Sequence, residues 1–171
     1  PRAAAWWGFV GGLCFWVPAL SWLWELIGNG GPLALVLLGQ TALAAWCASF
    51  FALFTWTAAR LWRRVTPDHR VWRLLLVWFA EPLLWVAVEY LRGVLFTGFP
   101  WNSLATTICK TPALLQGAAI GGILLVSALV ALGNSAIATL FERSAAPVLQ
   151  VVQGAPQQRE RFRFLRSVET F

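Results

Sequence analysis

Three charges stand where charges are expensive. Glu81, Glu89 and Arg92 lie in or beside residues 74–91, a stretch otherwise built mostly of Leu, Val, Trp and Phe. An ionisable side chain at the centre of a bilayer costs at least about 2.5–3.5 kcal/mol, so it faces protein or water and takes a partner. Glu89 and Arg92 are three positions apart, share a helical face and can pair. Such a pair either anchors a helix end or shapes a polar entrance for a lipid headgroup or substrate. Glu81 precedes Pro82, which removes a backbone donor and bends a helix. A carboxylate beside a kink is a proton site or is satisfied by a neighbouring helix, and the pattern leaves both open.

Directly after these charges comes Phe96-Thr97-Gly98-Phe99-Pro100-Trp101-Asn102. Gly98 and Pro100 forbid a regular helix, whereas Phe99 and Trp101 are too apolar for an ordinary external loop. The expectation is a loop at the membrane surface with aromatic anchors, or one that re-enters the membrane. Other reactive residues form no constellation. Cys14, Cys47 and Cys109 are widely spaced, with neither a CxxC nor a Cys/His cluster, so no metal site and no disulfide framework is expected. Cys14 and Cys47 fall inside apolar runs and read as small hydrophobes. His69 reads as a solvated loop residue. No serine nucleophile elbow, phosphate-binding glycine loop or HExxH occurs.

The elements that must position these residues are membrane helices. Of 171 residues, 59% are apolar and 12% are charged, against about 45–50% and about 25% in ordinary soluble domains. So little polar surface cannot coat a water-soluble globule. A helix rises about 1.5 Å per residue, so about 20 residues cross the hydrocarbon core. Four spans are expected, over residues 3–24, 33–59, 74–91 and 113–141. Gly28-Asn29-Gly30-Gly31-Pro32 separates the first two, and the stretch 60–73 with Thr66-Pro67-Asp68 separates the second from the third. Trp6, Trp7, Trp22 and Trp24 fit an interfacial belt, while Trp16 and Trp46 near mid-span fill gaps between helices. Gly8-xxx-Gly12 and Gly117-xxx-Gly121 are spacings that allow close helix approach.

Thirteen Lys and Arg oppose seven Asp and Glu. The Arg residues are clustered at 60–73 and 159–166, flanking apolar runs, so the excess reads as topology rather than nucleic-acid binding. It places the 60–73 loop and Arg2 in the cytoplasm and residues 98–101 on the exterior. No secretory cleavage pattern occurs. Val148 to Gly154 (VLQVVQG) is β-branched and bounded by Pro147 and Gly154, and is expected as a strand opening a second, soluble unit. With no Met and Pro1 at its start, the chain is expected to be a piece of something longer.

Val88-Glu89-Tyr90-Leu91-Arg92-Gly93 followed by Phe96-Thr97-Gly98-Phe99-Pro100-Trp101 resembles the E-x-L-R-G…TGFPW run in the membrane domain of bacterial apolipoprotein N-acyltransferases. Val151-Val152-Gln153-Gly154 with Pro156-Gln157 resembles the strand that opens that family's nitrilase-like domain. The resemblance covers most of the chain, and TGFPW is its specific part. A similar membrane part is also fused to polyprenol-mannose synthases. The resemblance implies an all-α membrane protein, a bundle of about four transmembrane helices over residues 1–143, with the start of an α/β nitrilase-like domain over 144–171. It implies a multi-pass enzyme of the bacterial inner membrane. That enzyme moves an acyl chain from a membrane phospholipid to the amino group of a diacylglyceryl-cysteine on a lipoprotein, without cofactor or metal, by way of a Cys thioester assisted by Glu and Lys. No residue of this chain matches that triad. The resemblance places the catalytic Glu, Lys and Cys beyond Phe171, so the chain alone is expected to be inactive. The candidates for a lipid entrance are Glu89, Arg92, Gly98, Phe99, Pro100 and Trp101. The family carries a further span before the strand, where this chain has only residues 142–150; by that count the strand faces the cytoplasm. A small transporter or channel around Glu81, Glu89 and Arg92, and a non-catalytic membrane scaffold, are the competing readings.

Overall fold

A computed structural model describes residues 1–64 and 70–152. Its elements are α1 (Arg2–Ala19), a 3-10 turn (Ser21–Trp24), α2 (Glu25–Gly28), α3 (Leu33–Arg64), α4 (Arg70–Leu75), a π-helical turn (Leu76–Ala80), α5 (Glu81–Val94), a 3-10 turn (Leu104–Ile108), α6 (Pro112–Leu115) and α7 (Ala118–Val152). Residues 1–133 form one compact unit, and 134–171 form another. In the second, the described part is helical, with the Thr139 hydroxyl donating to the Ser135 carbonyl at 2.8 Å. The candidate residues all lie in the first.

The frame of the first unit is an antiparallel pair, α1 against α3. Gly8 and Gly12 face α3, as the small-residue spacing predicts. A Cβ on Gly12 would lie 2.8 Å from Ala48 Cα, and one on Gly8 would run into the Thr55 hydroxyl and come within 2.8 Å of the Phe51 carbonyl. The Thr55 hydroxyl reaches across to the Ala4 carbonyl at 2.9 Å. Lower in the pair, Trp16, Leu20, Ala44 and Cys47 form a fully buried core. The connection is built by the glycines. Gly30 adopts φ +89°, its N–H donates to the Ile27 carbonyl at 3.1 Å, and the Gly31 N–H donates to Leu26 at 2.8 Å. That crossed pair of bonds is a Schellman closure. Pro32 then precedes α3.

Several expected spans are broken. Among the described residues two helices are long and apolar enough to cross a membrane, Leu33–Arg64 and Ala118–Phe141. A third arises if Arg2–Ala19 and Ser21–Gly28, bent by 46°, form one span. The bend follows Pro18, where α1 stops short of Trp24. There the Gln40 side chain replaces lost helical bonding: its Nε2 donates to the Val17 carbonyl at 2.9 Å, and its Oε1 accepts from Trp24 Nε1 at 2.6 Å. Residues 70–94 are helical throughout, but a π turn at Leu76–Ala80 precedes Glu81-Pro82. Pro82 has no N–H to give the preceding turn, and a wider turn accommodates that loss. Residues 113–141 are not one rod either. Pro112–Leu115 forms a short turn, and Gly121 (φ −132°) and Gly122 (φ +64°) kink the start of α7. Gly121 therefore serves a break, since a Cβ there would meet Leu125 of its own helix, whereas a Cβ on Gly117, before α7, would lie within 4 Å of Val126 and Leu129 of that helix.

The strand expected at 148–154 is absent as far as the chain is described: Val148 to Val152 continue α7. β-branched residues favour strands only where a partner supplies the ladder, and the helical bonding that precedes them needs no partner. The rest of the expected nitrilase-like start, from Gln153 and Gly154 through Pro156-Gln157 to Phe171, lies outside the described residues, as do His69 and the 66–68 breaker. Trp6, Trp7, Trp22 and Trp24 are exposed, and Trp16 is fully buried.

Gly12→Leu should separate α1 from α3, costing about 1–3 kcal/mol as overpacking does. A thiol-reactive dye in detergent then reaches buried Cys47 at a lower temperature than in the parent. Gly11→Leu, whose Cβ meets nothing within 4 Å, is expected to leave that temperature unlowered.

Candidate functional site

Glu89 is buried, and its carboxylate is surrounded by donors from three stretches of chain. Trp85 Nε1, one turn earlier on α5, donates to Oε2 at 2.9 Å. The Ser127 hydroxyl of α7 donates to Oε1 at 3.0 Å. The Leu104 N–H approaches Oε2 at 3.4 Å, and the next N–H, Ala105, donates to the Ser127 oxygen at 3.1 Å. The first amides of the Leu104–Ile108 turn have no local side-chain cap. A carboxylate at that end satisfies orphan donors and suits the positive pole of the turn.

Arg92 is buried one turn further along α5 and works on the loop instead. A single nitrogen, Nη1, donates to the Phe99 carbonyl at 2.9 Å and to the Trp101 carbonyl at 2.7 Å. The Arg92 backbone carbonyl in turn accepts from the Phe99 N–H at 2.9 Å. The guanidinium lies 4.8 Å over the Trp16 ring, a cation–π contact strengthened by desolvation. The expected Glu89–Arg92 ion pair is therefore not formed. Both side chains leave the same helix face, but Glu89 is taken by the 104–105 amides and Ser127, and Arg92 by the carbonyls of the loop.

The loop between them is bent sharply. Gly98 has φ +72°, and a Cβ there would run into the Gly93 carbonyl, so only glycine fits. Phe96 and Asn102 also sit in the left-handed region, at φ 56° and 53°. Phe99 packs edge-on to Trp16 with centroids 6.1 Å apart, Trp101 lies 5.5 Å from Trp22, and Phe96 lies 5.2 Å from Trp46. The loop's aromatics are thus anchored to α1, to α3 and to the Ser21–Trp24 turn, while Phe96 remains 84% exposed.

Glu89, Arg92, Gly98, Phe99, Pro100 and Trp101 are brought together. Glu81 is not among them: it accepts from Trp62 Nε1 and ties α5 to the far end of α3. Cys47 is buried beneath the site, whereas Cys14 and Cys109 are exposed. Among the described residues no three His, Cys, Asp or Glu side chains come together as metal ligands. Sequence reasoning missed Ser127, Trp16, Trp85 and Ser103. The signals that could have suggested partners for Glu89 are a tryptophan four residues before it and a serine in the apolar run of α7.

Comparison with known proteins bears on this arrangement. Residues 1–136 match the family described as apolipoprotein N-acyltransferase N-terminal domain. An apolipoprotein N-acyltransferase of Vibrio vulnificus is 37% identical over 139 residues, 80% of this chain and 26% of that protein. One of Geobacter metallireducens is 37% identical over 134 residues, 78% and 24% of the two chains. One of Chromobacterium violaceum is 36% identical over 142 residues, 82% and 26%. The chain spans about a quarter of the length of these curated relatives.

A double-mutant cycle on Glu89→Gln and Ser127→Ala, read from unfolding in bicelles, should give a coupling of about 1 kcal/mol, within the range for hydrogen bonds inside membranes. Arg92→Lys loses the planar fork that holds two carbonyls. At about 1.5 kcal/mol for a bond to a charged group, amide exchange at Phe99 should quicken roughly tenfold; unchanged exchange would mean the loop holds itself.

Proposed function

The chain belongs to the apolipoprotein N-acyltransferase family, and from that premise we propose that residues 1–143 serve as the transmembrane domain of an inner-membrane enzyme of lipoprotein maturation. The donor in this reading is a membrane phospholipid and the acceptor is the diacylglyceryl-cysteine of an apolipoprotein. Four crossings, residues 3–24, 33–59, 74–91 and 113–141, carry the domain, with the 60–73 loop in the cytoplasm and the 96–102 loop at the outer surface. Residues 144–171 lead into a nitrilase-like domain.

The observation that supports this reading is the double hold of Arg92 on the Phe99 and Trp101 carbonyls. A loop this apolar would collapse or wander if free; held, it presents Pro100 and Trp101 as a fixed rim where lipid chains enter laterally. The domain's contribution is positioning, which governs how often a reactive ester meets a nucleophile in productive geometry. The family's thioester-forming Cys and its Glu and Lys partners match no residue from Pro1 to Phe171, so no residue of this stretch is assigned to bond making. A channel built around Glu81, Glu89 and Arg92 has less support, because all three side chains are bonded to protein groups.

The test is a chimera in which residues 1–136 replace the matching segment of the Vibrio vulnificus relative. It should transfer labelled acyl chains from phospholipid to a diacylglyceryl-cysteine peptide, while the 171-residue chain alone transfers none. Arg92→Ala and Trp101→Ala in the chimera should each lower kcat/KM roughly tenfold or more through lost positioning. Unchanged kinetics in both would remove the loop from the mechanism.

A further inference from the structure

Arginines collect at the end of the bundle opposite the 96–102 loop. The antiparallel register fixes which end that is. Ala4 of α1 meets Thr55 of α3, Gly12 meets Ala48, and Val17 meets Gln40, whereas Trp16 and Trp22 carry the loop. Arg2, at the start of α1, therefore reaches the level at which α3 runs out through Arg60, Arg63 and Arg64. These three are spaced i, i+3 and i+4, so they share one face of α3, and all three are exposed. Trp56, one turn before Arg60, belongs to that face as well, and the Arg60 guanidinium lies 3.9 Å over its ring.

Length carries this face out of the hydrocarbon. The 32 residues of α3 extend about 48 Å, against a hydrocarbon core of about 30 Å. Its uncharged part ends at Ala59, so Arg60 to Arg64 stand at the depth of lipid phosphates. Exposed Trp6 and Trp7 lie at the same end, as an aromatic belt does. Arg63 and Arg64 occupy the last turn of α3, where the negative pole favours cations, but that pole does not use up their N–H donors. The described carboxylates of the first unit are committed elsewhere. Glu25 lies in α2 at the opposite end, Glu89 is held by Trp85 and Ser127, and Glu81 accepts from Trp62. An arginine fork meets a phosphate through two hydrogen bonds at once, and stacking on Trp56 orients Arg60 before any ligand arrives. A zwitterionic headgroup would bring an ammonium among guanidiniums; an anionic one brings the phosphate charge alone.

We propose that Arg60, Arg63 and Arg64, with Arg2 beside them, form a binding surface for the phosphodiester of an anionic phospholipid. Arg60 supplies the oriented fork, and the others supply charge. In the topology proposed above this end meets the cytoplasmic leaflet, whose surface is anionic. The lipid held here is a partner of the bundle and not the acyl donor, which in that reading meets the protein at the 96–102 loop. The inference rests on the membrane reading of the chain, not on the transfer reaction.

The full 171-residue chain is titrated in neutral detergent with phosphatidylglycerol or phosphatidylcholine of matched acyl chains, and bound lipid is counted by native mass spectrometry. The first phosphatidylglycerol is expected to bind roughly tenfold or more tightly than the first phosphatidylcholine. A basic residue near an anionic surface contributes roughly fivefold in affinity. Arg60→Gln and Arg64→Gln should each weaken phosphatidylglycerol by about that factor and leave phosphatidylcholine unchanged. Arg60→Lys keeps the charge without the fork and should cost about twofold. Lys110→Gln removes an exposed cation beyond the loop and should change nothing. Equal binding of the two lipids overturns the proposal, and so does a loss on Lys110→Gln as large as that on Arg60→Gln, because net charge then explains the preference. Inorganic phosphate should displace no more lipid than chloride at the same ionic strength; specific displacement would make the ligand a soluble anion and overturn the lipid assignment. If the chimera transfers acyl groups while the chain shows no lipid preference, the surface falls and the transfer reading stands; preference without transfer keeps the surface and removes the transfer reading. A chain that disperses without detergent removes the membrane reading and this surface together.

Discussion

A carboxylate inside an apolar bundle must be given hydrogen-bond donors, and the way Glu89 obtains them organises the rest of the first unit. Its donors come from its own helix, from α7 and from the start of the Leu104–Ile108 turn. None of these stretches is a sequence neighbour of the others. Removing one partner of such a group leaves the remainder exposed to the full penalty of burying it unpaired. The carboxylate thus fixes where α7 approaches α5 and where the chain leaves the loop, and it does so by directional bonds that lipid-like packing cannot supply.

Arg92 provides the complementary half. Glu89 collects N–H groups, whereas Arg92 collects carbonyls, so between them they satisfy the irregular backbone on both sides of Pro100. Non-helical backbone buried among apolar side chains persists only where such groups are satisfied by protein. The aromatic contacts of Phe99 with Trp16 and of Trp101 with Trp22 then attach the loop to α1 and to the Ser21–Trp24 turn that follows it. The α1–α3 frame depends in turn on glycine at positions 8 and 12. A rigid hairpin, a pinned loop and a buried acid form one mechanical unit.

Much of this was legible in the residues. Runs of uncharged, apolar sequence marked the helices, Gly28 to Pro32 marked the turn, and Gly8 and Gly12 marked the tight face, because each signal is local. The cluster from Glu89 to Trp101 was also legible as a candidate, since charges and a Gly-Pro-Trp loop are out of place in a membrane helix. What could not be read was partnership. Three-residue spacing allows Glu89 and Arg92 to pair, but apart from Trp85, one turn back on the same helix, the competing partners lie seven to thirty-eight positions away, and spacing along a helix says nothing of those. Breaks within spans were likewise hidden: Pro18 and the pair Gly121–Gly122 were visible, yet how far a helix bends there depends on what replaces the lost bonds, as Gln40 does for Val17. The β-branched run at 148–152 misled because its preference is conditional on a neighbour.

The wide turn at Leu76–Ala80 has a consequence for how this region tolerates length changes. Each residue of a regular helix advances the side-chain direction by about 100°, and a π turn absorbs one residue more than the regular spiral would. The surplus residue is therefore taken up locally, and α5 keeps the phase that a regular helix one residue shorter would give it. An insertion elsewhere in the helix rotates Glu89 and Arg92 together out of register with the loop, whereas a single deletion within residues 76–80 would iron out the bulge and leave the direction of the pair nearly unchanged. The bulge is a one-residue buffer: of all places in this rod, it is where a length change costs the two charges least.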